Sequence, residues 1–473
     1  MTVRRPAYDR GGVRTGIVHF GVGGFHRAHQ AVILDDLMNA GLADDWGICG
    51  VGVLPGDARM RDALAARDHR YTLVLKHPDG TREAREIGSI IDFRYAPDDP
   101  DAVVEQLADP GVRIVSLTVT EGGYHVDPTT GEFDDGDPAV QHDLRPGAVP
   151  VTAFGFLVAG LVRRRARGIP PFTVLSCDNI AGNGGGARRM VAAFAARLDP
   201  ELGTWIAAEV AFPNCMVDRI TPVTTDADRA EIAAEFGVAD TWPVVAEPFR
   251  QWVVEDDFPL GRPPFEEADG VRMVADVEPY ELMKLRLLNA SHQGMCYFGH
   301  LLGHRYAHEA AQDPLIVNLL TRYMDEEATP TLHPAPGVDL ARYKATLLER
   351  FANPHVRDTV ARLCADSSDR IPTWLVPVIR AQLAAGGPIH RSAAIVASWA
   401  RYADGVDEQG TPIDVVDRRR DGVMAAAIRG DFLEQRDLFG DLADSPRFVA
   451  AYQWALDSLH TSGARATLEA LLS

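Results

Sequence analysis

Several signatures of secreted, membrane-spanning or disulfide-rich proteins are missing from this sequence of 473 residues. Its five cysteines are odd in number and scattered, which argues against a disulfide framework and favours a reducing compartment. No apolar run reaches the ~18 residues that a membrane span needs. The N-terminal segment MTVRRPAYDRGG lacks the apolar core of a signal peptide. We therefore expect a cytoplasmic protein without membrane contact.

Basic residues are also in short supply, with 47 against 67 acidic residues and a formal net charge of −20. The two arginine-rich runs, at 163–167 and 418–420, are typical of solvated helix faces, with a polyanion-binding role as the alternative. The acidic balance argues against a nucleic-acid partner. No heptad pattern stands out, so we expect a monomer that binds a small molecule.

The first half of the chain alternates short β-branched runs with helical stretches. Strands are predicted at 17–20, 48–54, 114–119 and 172–177, with less regular strand-like pieces at 212–225 and 244–254. Helices are predicted at 26–40, 151–168 and 185–198. This alternation indicates an α/β fold with a doubly wound, mostly parallel sheet. We expect the Gly-, Asp- and Pro-rich loop at 121–150 to lie over the carboxyl edge of the sheet, where such folds bind ligands.

The second half of the chain favours helix almost throughout. Its predicted helices are 279–303, 306–325, 339–352, 354–365, 373–386, 392–404, 422–430 and 445–472. We place a domain boundary between residues 279 and 280. The sequence thus predicts a sheet domain at 1–279 followed by a mainly α-helical domain at 280–473.

A glycine turn, GVGGFHR, follows the first predicted strand and opens a helix. Gly21, Gly23 and Gly24 allow the backbone to turn sharply and to approach a pyrophosphate. The match to G-x-G-x-x-G is partial, because His26 occupies the third glycine position. Arg27 is a candidate for additional charge against the phosphate. The strand–turn–helix context predicts a dinucleotide site, hence a dinucleotide-binding domain.

Asp57 follows the second predicted strand and is the candidate for selecting NAD. An acidic side chain at this edge accepts hydrogen bonds from the ribose hydroxyls and repels a 2′-phosphate. Asp57 lies further along the chain than the usual ~20 residues. A solvent-facing helix cap after Pro-Gly is the alternative interpretation.

Four polar residues lie on one strongly predicted helix: Glu281, Lys284, Asn289 and His292. At ~100° per residue, the last three fall within an arc of about 140°, which Lys284 and Asn289 define. Lys284 and His292 are about 12 Å apart along the axis. Such a set could line an extended polyol, whereas an ordinary ion pair and a helix Asn would give the same spacing.

The helical region around these polar residues also offers candidate ligands for a zinc ion. Zinc-dependent alcohol dehydrogenases hold their metal with Cys and His. Here Cys296, His300 and His304 have helical spacing on one apolar helix, but no second Cys stands nearby. We therefore predict that no metal takes part.

Longer segments carry a family resemblance. They are FGVGGFHRAHQA at 20–31, SLTVTEGGY at 116–124, SCDN at 176–179, FPNCMVDRITP at 212–222, EPFRQWVVEDDF at 247–258, MKLRLLNASH at 283–292 and RFANPHVRDTVARLCADSSDRIP at 350–372. These resemble the polyol-specific long-chain dehydrogenases, the mannitol dehydrogenase family. The resemblance covers nearly the whole chain, and its most specific motif is Lys-x4-Asn-x2-His at 284–292. It implies a Rossmann-type N-terminal domain and an α-helical C-terminal domain.

The resemblance also assigns roles to residues. Lys284 is implied to be a metal-independent general base, Asn179 and Asn289 to polarise the reacting oxygen, and Glu281 to exchange protons with water. The residues implied to contact the substrate are Asp218, His292, Arg362 and Arg370. The cofactor NAD is implied to contact Gly21, Gly23, Gly24, Phe25, Arg27, Asp57 and Glu121.

This chemistry is physically coherent. A base must take the hydroxyl proton as hydride leaves carbon, and a lysine can do so only when it is neutral. Burial favours the neutral amine, because desolvation disfavours the ammonium. Two carboxamide N–H donors would stabilise the negative charge that builds on oxygen.

The predicted activity is NAD-dependent interconversion of a linear polyol and its ketose, preferably D-mannitol and D-fructose. Arabinitol and sorbitol are close alternatives. A hexuronate reductase acting on fructuronate is another, since Arg362, Arg370 or Arg286 could hold a carboxylate. Arg370 stands where relatives often have Lys, which changes the donor geometry. A non-catalytic NAD sensor is the alternative from a different class, and the intact set of polar residues argues against it.

Overall fold

The computed structural model describes residues 3–127 and 130–472. Residues 1–2 of the N-terminal segment, and Pro128 and Thr129 of the predicted loop, lie outside the described part. The chain divides into two compact units, Met1–Glu278 and Pro279–Ser473, called here the N-terminal and the C-terminal unit. The predicted boundary lies one residue further on.

Eleven strands and nine helices in the described ranges build the N-terminal unit. The strands are β1 (Thr15–Phe20), β2 (Gly47–Gly52), β3 (Tyr71–Lys76), β4 (Arg82–Ile87), β5 (Ile90–Tyr95), β6 (Ile114–Leu117), β7 (Thr173–Ser176), β8 (Cys215–Asp218), β9 (Val244–Ala246), β10 (Gln251–Glu255) and β11 (Val271–Val274). The helices are α1 (Gly24–Ala28), α2 (Gln30–Asn39), α3 (Ala58–Ala65), α4 (Pro100–Ala108), α5 (Pro138–Asp143), α6 (Ala153–Ala166), α7 (Asn183–Leu198), α8 (Pro200–Glu209) and α9 (Asp226–Phe236).

The main sheet has five parallel strands in the order β5-β2-β1-β6-β7. The chain reverses its direction of progress across the sheet between β1 and β6, which makes their carboxyl ends the switch point where such folds bind ligands. Alternate side chains feed two cores: Val18 and Phe20 join helices α4, α6 and α7 on one face, and Ile17 joins α2 on the other. The predicted Rossmann-type fold of this unit is confirmed.

Two three-stranded sheets complete the unit, in the orders β11-β10-β8 and β4-β3-β9. In the first, β10 is antiparallel to β8 and parallel to β11. In the second, β3 is antiparallel to β4 and parallel to β9. The helix predicted at 26–40 is interrupted at His29, whose φ of −124° and ψ of −88° separate α1 from α2.

The C-terminal unit is helical, as predicted. Its helices are α10 (Glu278–Met283, which begins one residue before the boundary), α11 (Ala290–Leu301), α12 (Ala307–Ala310), α13 (Pro314–Arg322), α14 (Leu340–Phe351), α15 (Val360–Cys364), α16 (Ser367–Trp374), α17 (Val376–Ala385), α18 (His390–Ala403), α19 (Arg420–Arg429), α20 (Arg436–Phe439) and α21 (Pro446–Leu472). π-Helical segments span Lys284–Asn289 and Tyr323–Ala328. Within the described ranges, no helix is both long and apolar enough to cross a membrane.

Candidate active site

The glycine turn follows β1 at the switch point. Gly21 has a φ of +89°, and a β-carbon there would lie 2.0 Å from the carbonyl oxygen of Thr118, so only glycine fits. The N–H of Gly23 donates to the carbonyl of Gly21 at 2.6 Å. A β-carbon on Gly23 or Gly24 would meet nothing closer than 3.8 Å. The turn therefore leaves its backbone open to a ligand, as a pyrophosphate site requires.

His26, at the third glycine position, packs beneath this turn. Its ring stacks on that of His19 in β1, with centroids 3.4 Å apart and planes 11° apart. The Nδ1 of His19 lies 2.8 Å from the hydroxyl of Ser116, and the Nδ1 of His26 lies 2.9 Å from the carboxamide oxygen of Gln30. Burial lowers the pKa of both imidazoles, that of His26 to about 4, so the stack is uncharged at neutral pH. Sequence reasoning did not identify His19.

Phe25 and Arg27 lie on the first turn of α1 and face the interior of the unit. The ring of Phe25 stacks on His29 at 5.0 Å. Arg27 is 2% exposed. Its guanidinium donates to the carbonyl of Trp242 and lies 5.2 Å from the centre of the Tyr71 ring. These contacts do not favour the predicted phosphate contact of Arg27, which stays a prediction.

Asp57 lies beside the carboxyl end of β2. Its Oδ2 accepts a hydrogen bond from the N–H of Leu54 at 2.9 Å, so the side chain does cap a short helical turn. A β-carbon on Gly52, the last residue of β2, would come within 2.6 Å of the Asp57 Cβ. Asp57 thus stands at the edge where ribose hydroxyls are expected. Its selection of NAD stays a prediction.

A buried carboxylate ties the carboxyl ends of β6 and β7 together. Asp178 accepts hydrogen bonds from the backbone N–H of Val119 at 3.1 Å and of Thr120 at 2.8 Å, and from the hydroxyl of Tyr124 at 2.8 Å. Thr120 has a positive φ of 61°, unusual for a β-branched residue. Sequence reasoning missed Asp178, although it stands inside the SCDN motif.

Three further predicted site residues belong to the N-terminal unit. Asn179 follows Asp178, three residues after the end of β7, and its side chain is exposed. Glu121 begins the turn after Thr120 and is exposed too. Asp218 is the last residue of β8 and is buried, opposite Gln251 in the neighbouring sheet.

The helix that carries Lys284 is not a regular α-helix. Its segment Lys284–Asn289 is π-helical, and the N–H of Ala290 donates to the carbonyl of Leu285, five residues earlier. A π-helix has more residues per turn than an α-helix, so the rotation between Lys284 and Asn289 is smaller than the angle of about 140° that α-helical spacing predicts. Single π-turns inside α-helices are frequently found at functional sites.

The two polar groups of this turn are buried. Lys284 is 6% and Asn289 4% exposed, and the Oδ1 of Asn289 has no hydrogen-bond partner in the described part of the chain. His292 is partly exposed, with its ring centre 4.5 Å from that of Phe351. Glu281, one turn before Lys284, is also partly exposed. A buried amine beside a carboxamide suits proton transfer and polarisation of an oxygen.

The two predicted substrate arginines differ in their surroundings. Arg362 is half-exposed, and its Nε donates to the Oδ1 of Asp358 at 2.6 Å. The Nη1 of Arg370 donates to the carbonyl of Leu363 at 3.0 Å, and the same carbonyl accepts from Gln293 of α11 at 3.3 Å. Arg370 is thereby connected to the helix that follows Lys284.

The alternative zinc ligands do not form a cluster. Cys296 is fully buried, with its Sγ 3.6 Å from the carbonyl oxygen of Gln293. The Nε2 of His304 lies 3.4 Å from Asp313, and His300 meets the face of the Tyr402 ring edge-on. Among residues 3–127 and 130–472, no group of three or more His, Cys, Asp or Glu side chains could hold a metal ion.

Two family models match the chain, one for each unit. The mannitol dehydrogenase Rossmann domain matches residues 15–267, and the mannitol dehydrogenase C-terminal domain matches residues 276–460. The chain is 48% identical to a mannitol 2-dehydrogenase of Phaeosphaeria nodorum, covering 99% of this chain and 83% of the relative. It is 46% identical to a mannitol 2-dehydrogenase of Aspergillus fumigatus, covering 98% and 95%.

Solved structures agree in fold. Pseudomonas fluorescens mannitol 2-dehydrogenase, solved as a ternary complex with NAD and D-mannitol, is 47% identical with a TM-score of 0.90, covering 99% of this chain and 96% of that one. A D-sorbitol dehydrogenase in substrate-free form is 35% identical with a TM-score of 0.92, covering 99% and 97%. The resemblance drawn from the sequence is confirmed, and the chain belongs to the mannitol dehydrogenase family.

Proposed function

We propose that the chain is an NAD-dependent polyol dehydrogenase that interconverts D-mannitol and D-fructose. The observation that carries the proposal is the buried pair Lys284 and Asn289 on one π-turn, in a chain 47% identical to an enzyme solved with NAD and D-mannitol. Mannitol 2-dehydrogenases among the relatives support the same substrate.

The residues at the switch point fit NAD. Gly21 holds the turn, and Gly23 and Gly24 leave space beside the backbone for a pyrophosphate. The carboxylate of Asp57, near the end of β2, accepts hydrogen bonds from the ribose hydroxyls and repels a 2′-phosphate. When bound, the nicotinamide supplies the acceptor or donor of hydride. Phe25, Arg27 and Glu121 are further candidates for contacts with the cofactor.

Lys284 acts as the general base in polyol oxidation. Its burial favours the neutral amine that can take the hydroxyl proton. Asn179 and Asn289 donate N–H groups to the oxygen on which negative charge builds. Glu281, partly exposed on the preceding turn, passes the proton between Lys284 and water.

The remaining polar side chains hold the other hydroxyl groups of the substrate. We assign this role to Asp218, His292, Arg362 and Arg370. Arg370 is connected to α11 through Leu363, so it has a fixed position relative to that helix. No metal is required in this scheme, because the lysine removes the proton and the carboxamides stabilise the charge.

D-Sorbitol is the second candidate substrate. The observation that favours it is the D-sorbitol dehydrogenase of the same fold, 35% identical over 99% of this chain. The decisive experiment is a comparison of kcat/KM for NAD reduction with each polyol, with the ketose identified by nuclear magnetic resonance, because oxidation of either polyol at C2 gives D-fructose. We expect D-fructose from D-mannitol, at a kcat/KM well above that for D-sorbitol. A preference for D-sorbitol would reverse the assignment, and no turnover of either polyol would refute it.

A further inference from the structure

A cavity lies in the N-terminal unit, apart from the proposed cofactor and catalytic residues. Its volume is about 460 Å³, and none of the proposed site residues lines it. One side is formed by Val32 and Asp36, one turn apart on α2, and another by the β3–β4 hairpin with Leu73 and Arg85. Arg219 and Arg250 complete the lining that matters here.

Two guanidinium groups in this cavity share the carboxylate of Asp36, and a third, that of Arg219, belongs to the same lining. The Nη1 atoms of Arg85 and Arg250 each donate to one oxygen of Asp36 at 2.6 Å. Arg219 is 6% exposed, and its hydrogen bonds go to the carbonyl oxygens of Ala28 at 2.6 Å and Glu247 at 2.9 Å. Burial and the charge of Arg250 lower the pKa of Arg219 to about 9.

The other acidic groups nearby do not balance these charges. Asp35 lies 4.0 Å from the Nη2 of Arg85, but burial raises the pKa of Asp35 and thereby favours its neutral form. Glu83 pairs with His77 at 3.0 Å and is largely exposed, and Asp269 is exposed. The carboxylate of Glu247 lies close enough to favour the charged form of Arg219, yet burial and Arg250 outweigh it.

Two arginines of the lining have hydrogen-bonding capacity that the described part of the protein does not use. The Nε of Arg85 is buried and has no hydrogen-bond partner in the described ranges, a state that costs free energy unless an acceptor is supplied. Arg4 is exposed at the cavity and makes no ion pair with any residue in 3–127 or 130–472. The two residues lie side by side, because the backbone of Arg4 forms an isolated parallel β-bridge with that of Arg85 in β4.

We propose that this cavity binds a small dianion of the phosphate class, either free phosphate or the phosphate group of a monoester. Guanidinium groups match phosphate oxygens with paired N–H donors. Leu73 and Val32 offer an apolar surface to the body of an ester. The volume falls in the range of small-molecule sites and exceeds what phosphate alone fills.

The test is calorimetric titration of the full-length protein with inorganic phosphate and with glycerol phosphate. The titration is made in the presence of saturating NADH, which occupies the glycine turn and so prevents phosphate from binding there. Sodium chloride at equal ionic strength is the salt control. We expect saturable binding with one site per chain. Tighter binding of glycerol phosphate identifies a monoester as the natural ligand, and equal affinity identifies free phosphate.

Three variants make the proposal falsifiable. Arg4→Gln and Arg85→Gln should each weaken binding about tenfold or more, because each removes a charged donor. Asp36→Asn should tighten binding, because it releases two guanidinium groups from a competing carboxylate. Arg163→Gln is the control and should bind as the parent does, because Arg163 is a partly exposed arginine paired with Asp101 and Glu105 at 2.9 and 2.8 Å.

The proposal is overturned if neither probe binds saturably to the NADH-loaded protein. It is equally overturned if Arg163→Gln weakens binding as much as Arg4→Gln does, since the effect would then be one of net charge. Because Arg4 is exposed, its replacement leaves the fold intact even if Arg85→Gln does not. Dehydrogenase activity of Arg4→Gln should equal that of the parent, because Arg4 lies outside the proposed catalytic set.

Discussion

Lys284 is one of three lysines among the 47 basic residues of the chain. Arginine cannot lose its proton at ordinary pH, whereas a lysine can do so when it is buried. The side chain of Lys284 is 6% exposed and lies next to the fully buried Met283. A lysine at this position therefore fits the role of a base, in a protein whose positive charge comes mostly from arginine.

Replacement of the proposed base should slow the chemical step without weakening cofactor binding. We expect Lys284→Ala to lower kcat by at least ~10²-fold, because proton transfer to water replaces transfer to a positioned amine. NADH affinity, measured by fluorescence titration, should stay the same. Lys344→Ala is the matched control, since Lys344 pairs with Asp325 elsewhere in the C-terminal unit. Near-parent turnover of Lys284→Ala would rule out the assignment.

The two asparagines should act on the same step. Loss of one donor to a developing oxyanion typically costs ~10²–10³ in kcat, so Asn179→Ala and Asn289→Ala should slow hydride transfer by that factor. Replacement by Asp should be worse, because it places a negative charge beside a growing one. Single-turnover measurements of NADH formation are the readout. A raised KM with an unchanged hydride-transfer rate would show that these residues only position the polyol.

At the scale of elements, the glycine turn is supported by buried neutral histidines. His26 and His29 are 1% and 0% exposed, and burial lowers their pKa values to about 4 and about 3. His29 also fixes the break between α1 and α2, with its Nε2 2.9 Å from the carbonyl oxygen of Gln251. The backbone of α1, and its break from α2, are thus held by two imidazoles that must stay unprotonated.

Acid should therefore weaken the N-terminal unit in a defined pH window. The unfolded chain protonates a histidine below about pH 6.5, whereas folded His26 does so only near pH 4. The contribution of His26 to stability is complete above pH 6.5 and falls as the pH drops toward 4, by up to roughly 3 kcal/mol. Urea unfolding of His26→Gln should show a smaller loss between pH 7 and pH 4.5 than the parent.

The partly exposed His142 offers a control in the same unit. Its Nε2 lies 3.1 Å from the carbonyl oxygen of Val149. His142→Gln should follow the parent across this pH range. An unchanged pH dependence of unfolding in His26→Gln would contradict the account of the buried histidine stack.

How far the elements follow from the sequence depends on how locally they are determined. β1, β2, β6 and β7 were predictable, because their apolar runs are buried on both faces. β4, with the sequence REAREI, carries four charged residues and shows no alternation of apolar and polar side chains, so the pattern does not indicate a strand. The first half of the helix predicted at 354–365 is wrong, because Pro354 and the positive φ of Arg357 delay the helix to Val360.

The π-turn at Lys284–Asn289 lay beyond prediction. It depends on one additional residue per turn, which a period of 3.6 does not reveal. The residues of the proposed site were selected from the sequence through the family resemblance of the motif Lys-x4-Asn-x2-His, and their roles stay predictions. Asp178 was missed because its role depends on Val119 and Thr120, which are about 60 residues away in the chain.

At the scale of the whole molecule, the proposed chemistry requires no metal. Prolonged chelation followed by assay should leave dehydrogenase activity intact, because proton removal and charge stabilisation are both provided by the protein. If chelation removed the activity and zinc restored it, the result would support the alternative zinc site at Cys296, His300 and His304. The monomeric state and the NAD-binding role of the N-terminal unit stay predictions that sedimentation and titration of NADH address.

The most direct test of the central claim is the kcat/KM of NADH oxidation with a panel of ketoses and ketouronates. An acidic protein with a net charge of −20 is expected to prefer a neutral ketose to an anionic one. The account predicts that D-fructose has the highest kcat/KM of the panel and that Lys284→Ala lowers this turnover at least ~10²-fold. Preference for fructuronate over D-fructose, or turnover of D-fructose that does not depend on Lys284, would contradict it.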